Sequence, residues 1–259
     1  MIQLLKRLIR PIYYSYRKST MRWKENVFNI FHTRTLPDAS DIPIIINNRN
    51  RLTSLKDLIN FLEKAGHKNI IILDNDSTYP PLLEYYNSTS IKVHRLGFNG
   101  GHLALWKTPF YKKFINDFYV YTDSDVIPVK ECPLDFMEYF REVLLKNSDV
   151  YKVGFSLKID DLPDTFLNKE RVIAWEKQFY EKPVGHEFFQ ASIDTTFAMY
   201  RPWMKGGASL LKMYRTNYPY QARHMPWYVE SNNLSEEEQY YVLHAIGSTH
   251  WTQQQLRKL

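Results

Sequence analysis

Cysteine is almost absent: Cys132 is the one thiol in the chain. A single thiol makes no internal disulfide and no two-cysteine metal site, and it fits a reducing compartment. Long apolar runs are missing too. No stretch approaches the roughly 20 apolar residues of a membrane span. Polar Gln3, Lys6 and Arg7 interrupt the N-terminal region where a secretory signal would need an unbroken apolar core. These absences lead to the expectation of a cytoplasmic protein, at most peripheral on the cytoplasmic face of a membrane. Internal repeats and low-complexity tracts are also lacking. What is present is apolar: 44% of the 259 residues are hydrophobic, enough for a packed core of one large α/β domain or two small ones. Aromatics make up 15%, with 19 tyrosines. Such a surplus lines carbohydrate sites, where the CH faces of sugars pack on rings, and it equally fills cores.

Net positive charge is confined to the N-terminus. Lys6, Arg7, Arg10, Arg17, Lys18, Arg22, Lys24 and Arg34 face Glu25 alone, so residues 1–34 carry +7 and the remaining 225 carry −1 of the total +6. On a helix over residues 2–10, Ile2, Leu4, Leu5, Leu8 and Ile9 share one arc, and Gln3, Lys6, Arg7 and Arg10 the other. Pro11 disfavours continuation, and Tyr13, Tyr14, Tyr16, Trp23 and Phe28 follow among basic residues. An arm over residues 1–35 of this composition suits an anionic bilayer surface. Packing on the chain's own body or on a partner subunit is the alternative. Nucleic acid is disfavoured because the body is not basic.

From residue 36 onward, strands and helices alternate. Residues 42–46, 69–73, 91–96, 118–122, 150–157 and 192–200 read as strands. Residues 52–65, 133–146 and 168–180 read as helices, with Gly66 a natural stop for the first. Ser235 and Glu238 form a capping box for a last helix. Residues 202–233, rich in Pro, Gly, Asn and aromatics, fit no element. The alternation predicts an α/β fold with a mainly parallel sheet and helices on both faces, which binds ligands at the carboxyl ends of its strands. Those ends carry Asn47-Asn48-Arg49, Asp74-Asn75-Asp76 and Asp123-Ser124-Asp125.

Asp123 and Asp125 lie two apart after an apolar strand, and in extended chain such residues point the same way. Two carboxylates converging on one cation favour Mg²⁺ or Mn²⁺, which neutralises a diphosphate; a solvated acidic turn is the plain alternative. Asp74, Asn75 and Asp76 pair with the base and ribose of a nucleotide, or simply make a turn. Asn48, Arg49 and Arg51 meet the base or diphosphate, or cap the next helix. Asn99-Gly100-Gly101-His102 lets backbone approach a ligand closely. Asp194, in an otherwise apolar stretch, needs a reason to be there: it binds acceptor hydroxyls, acts as a base, or pairs with Arg201. Arg223 is a candidate to hold diphosphate. Trp203, Trp227 and Tyr228 stack on an acceptor sugar or fill core.

Three segments carry a resemblance: Ile-Pro-Ile-Ile-Ile-Asn-Asn-Arg-Asn-Arg (42–51), Ile-Leu-Asp-Asn-Asp-Ser-Thr (72–78) and Tyr-Thr-Asp-Ser-Asp-Val-Ile-Pro (121–128). Through them the first 160 residues resemble the nucleotide-binding half of the GT-A glycosyltransferases, especially the inverting family 2. The resemblance implies a GT-A fold over 36–259, with a nucleotide-sugar half (36–160) and an acceptor half (161–259). It also implies a divalent metal, a nucleoside-diphosphate sugar donor, and transfer of a hexosyl-type unit to a glycan or glycolipid. It gives Asp74 and Asn75 the nucleoside, and it makes Asp123 and Asp125 the DxD metal and diphosphate motif. A general base near the start of a late helix falls on Glu237, with Asp194 as rival; acidic residues favour a helix N-terminus regardless. His224 and His250 are the candidates for a further metal ligand. A sugar nucleotidyltransferase would carry a Gly-rich loop after the first strand, where this chain has Asn-Asn-Arg-Asn-Arg. A non-catalytic membrane adaptor with a vestigial nucleotide edge is the third alternative.

Overall fold

A computed structural model describes residues 37–245 apart from 195 and 208–210, together with scattered positions between 12 and 27. The arm helix at 2–10 and His250 lie outside the described residues.

The chain builds one ten-stranded sheet. Its first part alternates strand and helix: β1 (Ile44–Asn48), α1 (Thr53–Lys64), β2 (Ile70–Asp74), α2 (Pro80–Ser88), β3 (Lys92–Arg95) and β4 (Tyr119–Asp123). β1, β2 and β4 are apolar runs because both sheet faces are covered, as parallel strands require. Ile44 and Ile46 point to one core, shared with Leu55, Leu58 and Leu62 of α1; Ile45 points to the other. Gly66 ends α1 in the left-handed region at φ 85°. Pro80 and Pro81 open α2, where a missing N–H costs nothing. The two faces are covered differently. α1, α2 and the later helices α3 (Phe136–Lys146) and α4 (Lys169–Glu176) cover the first. Two 3-10 segments, Gly101–Lys107 and Pro109–Lys113, lay Ala104, Leu105 and Phe110 on the second.

The remaining strands are β5 (Val126–Pro128), β6 (Lys152–Leu157), β7 (Pro183–Val184), β8 (Phe188–Gln190), β9 (Ala198–Tyr200) and β10 (Met213–His224), followed by α5 (Glu236–Leu243). Across the sheet the order is β3-β2-β1-β4-β9-β6-β10-β8-β7, with β5 paired to β10. The first four strands are parallel, whereas β9 runs against both β4 and β6. β6 and β9 approach so closely that a Cβ on Gly154 would sit 2.4 Å from the Phe197 carbonyl oxygen. Of the stretch 192–200 expected as a strand, the last three residues form one. The unassigned 202–233 holds β10, whose pairing with β6 slips between Thr216 and Gln221. The α/β class expected from the alternation is the class observed. Among the described residues no helix is long and apolar enough to cross a membrane.

Candidate active site

The carboxyl ends of β1, β2 and β4 bring three polar clusters to one edge. Asn47 Nδ2 donates to Asp123 Oδ1 at 3.0 Å, tying β1 to β4. Asn48 Nδ2 donates to the Tyr86 hydroxyl at 2.8 Å, which donates to Asp74 Oδ1 at 3.2 Å. Burial and the neighbouring Asp74 raise the Tyr86 hydroxyl far above its ordinary pKa, so it stays a donor. Asp74 Oδ2 accepts from the Ser77 amide, with Arg95 Nε 3.6 Å away. Asn75 clamps the glycine loop in both directions: Nδ2 donates to the Gly101 carbonyl at 3.1 Å, and Oδ1 accepts from the Gly100 amide at 2.6 Å. The glycines have local reasons as well. A Cβ on Gly100 would press on Ala104 at 2.9 Å, and Gly101 sits at φ 69°. Asp76 is likewise left-handed at φ 65°, a turn position that suits Asp.

The strand alternation assumed for Asp123 and Asp125 is corrected by a turn at Ser124–Asp125 between β4 and β5. Asp123 faces Asn47 and a cavity; Asp125 faces His224 and Arg51. Both carboxylates act on the Tyr241 hydroxyl, whose pKa burial already raises. His224 arrives on β10, opposite Val126 of β5, with Nε2 3.6 Å from Asp125 Oδ1. Burial lowers the imidazole's pKa against the pull of Asp125, so the ring is neutral and the contact is not an ion pair. Among the described residues no group of three His, Cys, Asp or Glu stands together as a metal cluster. Hard ions such as Mg²⁺ are typically held by one or two carboxylates plus substrate phosphates, so a three-ligand cage is not a requirement.

Among the described residues, seven buried side-chain atoms without a hydrogen-bond partner lie along this edge: Asn47 Oδ1, Asn48 Oδ1, Arg49 Nε, Asn50 Nδ2, Arg51 Nε, Asp125 Oδ1 and His224 Nδ1. Buried polar groups are normally paired, so such a concentration marks a place built for a polar ligand.

Two other expected residues are held elsewhere. The Glu237 carboxylate accepts from the Leu52 amide at 3.0 Å, from the Thr53 amide at 3.1 and 3.2 Å, and from the Thr53 hydroxyl at 2.8 Å. It caps α1, whose own N-cap residue, Leu52, has no side-chain acceptor. Next to it Glu238 pairs with buried Arg51 at 2.5 Å, and the Arg51 guanidinium lies 3.7 Å from the Tyr241 ring centre. The geometry therefore shows the carboxylate expected as the base clasping the start of α1. Arg223 alternates with His224 along β10 and so faces away from the edge. Its Nε and Nη2 donate to Asp161 Oδ2 at 3.0 and 2.5 Å, apart from the residues expected with it at the diphosphate.

Beside Asp123 opens a cavity of about 330 Å³. Asp194 lines it, exposed and on a loop rather than in a strand. Arg201, the proposed structural partner of Asp194, instead donates to the carbonyls of Leu144, Asn147 and Val150 at the end of α3. Two buried cations that the sequence reading passed over hold the Asp194 loop. Lys152 Nζ donates to the carbonyls of Ile193 (3.0 Å) and Asp194 (2.7 Å) and to the Tyr200 hydroxyl (2.7 Å). Arg215 Nε donates to the Ser192 carbonyl at 2.9 Å, while Nη1 pairs with Glu176 at 2.9 Å. A lone lysine and a lone arginine inside buried strands were the available signal. Burial pulls the Lys152 ammonium down to about 7. Trp227 is buried on the lining of the cavity, and the Tyr228 hydroxyl donates to Asp161 Oδ1 at 2.5 Å.

No family model matches the sequence, and no curated protein matches it. Solved structures are similar to it, two among them at low identity. One is glucosyl-3-phosphoglycerate synthase from Mycobacterium tuberculosis in complex with phosphoglyceric acid, with a TM-score of 0.40, 16% identity, and coverage of 62% of this chain and 56% of that one. The other is a mycobacterial protein with a TM-score of 0.39, 17% identity, and coverage of 62% and 53%. This chain thus spans just over half the length of either.

Proposed function

We propose that this chain is a glycosyltransferase that moves a sugar from a nucleoside-diphosphate donor to a hydroxyl of a glycan or glycolipid, with inversion. The observation that carries the reading is the concentration of unpartnered buried polar atoms along the ends of β1 and the β4–β5 turn, Asp125 and His224 among them. Asn47, Asn48, Arg49 and Arg51 offer donors and acceptors to the base and diphosphate. Asp74, Asn75 and Asp76 form the neighbouring nucleoside wall, with the Gly100–Gly101 loop fastened to it by Asn75. One or two carboxylates, Asp125 beside neutral His224 and Asp123 before the turn, would hold Mn²⁺ or Mg²⁺ together with the donor's phosphates. When bound, that ion stabilises charge on the departing diphosphate.

With Glu237 engaged at α1, Asp194 is the carboxylate left to act as base beside Asp123. In the proposed step the acceptor oxygen bonds to the anomeric carbon, the carbon–phosphate oxygen bond breaks, and the acceptor's proton passes to Asp194. The basic arm would keep the enzyme near an acceptor carried on an anionic membrane.

A thermal-shift screen of UDP, GDP and TDP, each with and without Mn²⁺, tests the reading. One of them should raise the melting temperature, and more so with Mn²⁺, because a ligand of the native state stabilises it by mass action. Asp125→Ala should remove the Mn²⁺-dependent part. Absence of any shift, with no donor turnover, would favour the non-catalytic adaptor.

A further inference from the structure

Trp175 is the last residue but one of α4, 56% exposed, and it lines the cavity that also holds Asp123 and Asp194. A single exposed ring is ordinary on a surface, but one on the wall of a polar cavity offers its face to whatever the cavity holds. We infer that Trp175 is the platform of an acceptor subsite, and that its occupant is a terminal pyranose ring stacked by its CH face on the indole. The inference rests on the glycosyl-transfer reading and narrows its acceptor to one that presents a sugar.

The platform is fixed before any ligand arrives. Glu176, next in sequence, is buried and paired with Arg215, whose guanidinium carbon lies 3.9 Å from the Phe179 ring centre. Phe179 meets the Trp175 indole edge-on, with centroids 6.3 Å apart. The same Arg215 holds the Ser192 carbonyl, so one buried guanidinium ties the Trp175 wall to the Asp194 wall. Such preorganisation lowers the cost of ordering the site on binding.

The chemistry of the cavity selects the occupant. Its cations are already engaged: Lys152 with carbonyls, Arg215 with Glu176, and Lys205 with the Tyr111 hydroxyl at 2.8 Å. Asp194 lines the same cavity as Asp123, whose Oδ1 accepts from Asn47, and these acceptor-only carboxylates suit hydroxyl donors and repel phosphate or carboxylate. A neutral ring with hydroxyls on its rim and an apolar face satisfies both walls. At about 330 Å³ the cavity is near the small end of ligand sites and takes one ring rather than a stretch of chain.

The experiment is saturation-transfer NMR on the full chain, without nucleotide or metal. The probes are methyl α- and β-glucopyranoside, the corresponding galactopyranosides, and uridine as a nucleobase control. At least one pyranoside should receive saturation through the ring protons of a single face. Trp175→Ala should weaken its binding about tenfold, Trp175→Phe should keep much of it, and Trp23→Phe, at an exposed tryptophan elsewhere, should leave it unchanged. No pyranoside signal, an equal signal in Trp175→Ala, or saturation of uridine alone would overturn the inference. Because nucleotide is absent, a nucleotide-induced thermal shift alongside any of these results would leave the donor reading standing while the acceptor subsite falls.

Discussion

The two ends of the sheet hold their buried charge in different ways. Around β1 and β2, side chains bond to side chains, as in the Asn48–Tyr86–Asp74 relay and the Asn47–Asp123 pair. Around β6 and β10, cations bond to backbone: Lys152 takes two loop carbonyls, and Arg215 takes a third alongside Glu176. The first arrangement can trade a partner for a ligand by a rotamer change. The second fixes the path of the chain, so the wall that carries Asp194 is set whether or not substrate is bound. A polar edge of exchangeable side-chain pairs thus stands beside a cavity whose Asp194 wall is held by its backbone.

The contrast breaks first at Arg215. Arg215→Met should cost about 3–5 kcal/mol in urea unfolding, because it strands the Glu176 carboxylate in the interior. Adding Glu176→Gln should recover part of the loss; a loss near zero in the single variant would remove the clamp. On the catalytic side, Asp194→Asn should lower turnover about 10²-fold while leaving nucleotide-induced thermal shifts intact. Unchanged turnover would move the base elsewhere. Lys152 adds a pH dependence. The folded state releases its proton near pH 7, whereas the unfolded chain keeps it to about pH 10.4, so the unfolded state binds more protons between those limits. Stability should therefore rise from about pH 7 to pH 9, by at most about 1.4 kcal/mol per pH unit from this group. Lys152→Met should flatten that rise, and a persistent slope would assign it to other groups. The smallest effect belongs to the donor side: Glu237→Ala should cost about 1 kcal/mol as a lost helix cap. Glu237→Gln should keep near-normal turnover, and a 10²-fold fall there would restore it as the base.

How far the sequence carried these features follows from where their polar groups go. β1, β2 and β4 were legible within a residue or two because runs such as Ile44-Ile45-Ile46 are buried on both faces. β10 was not, since Arg215, Thr216 and Gln221 are polar yet buried, which erases the apolar pattern by which strands are recognised. Asp123 stands at its expected place on the end of β4. The alignment of Asp125 with it was inferred from extended geometry that the turn at Ser124 interrupts. Asp194 was assigned to a strand because nothing local reveals that its carbonyl serves a lysine 42 positions earlier. Helix α2 was unassigned, its start written in two prolines rather than in a periodic apolar face. The clasp by Glu237 is a tertiary contact, and an acidic first turn has the same appearance with or without it.

That clasp bears on how the chain is made. The leading end of α1 is completed by a carboxylate 184 positions later in the chain. During synthesis the first crossover unit must wait, its amides open to water, until Glu237 has emerged. A fragment stopped before residue 236 should therefore collapse around β1 and β2 yet keep a fraying α1, detectable as rapid amide exchange at Leu52 and Thr53.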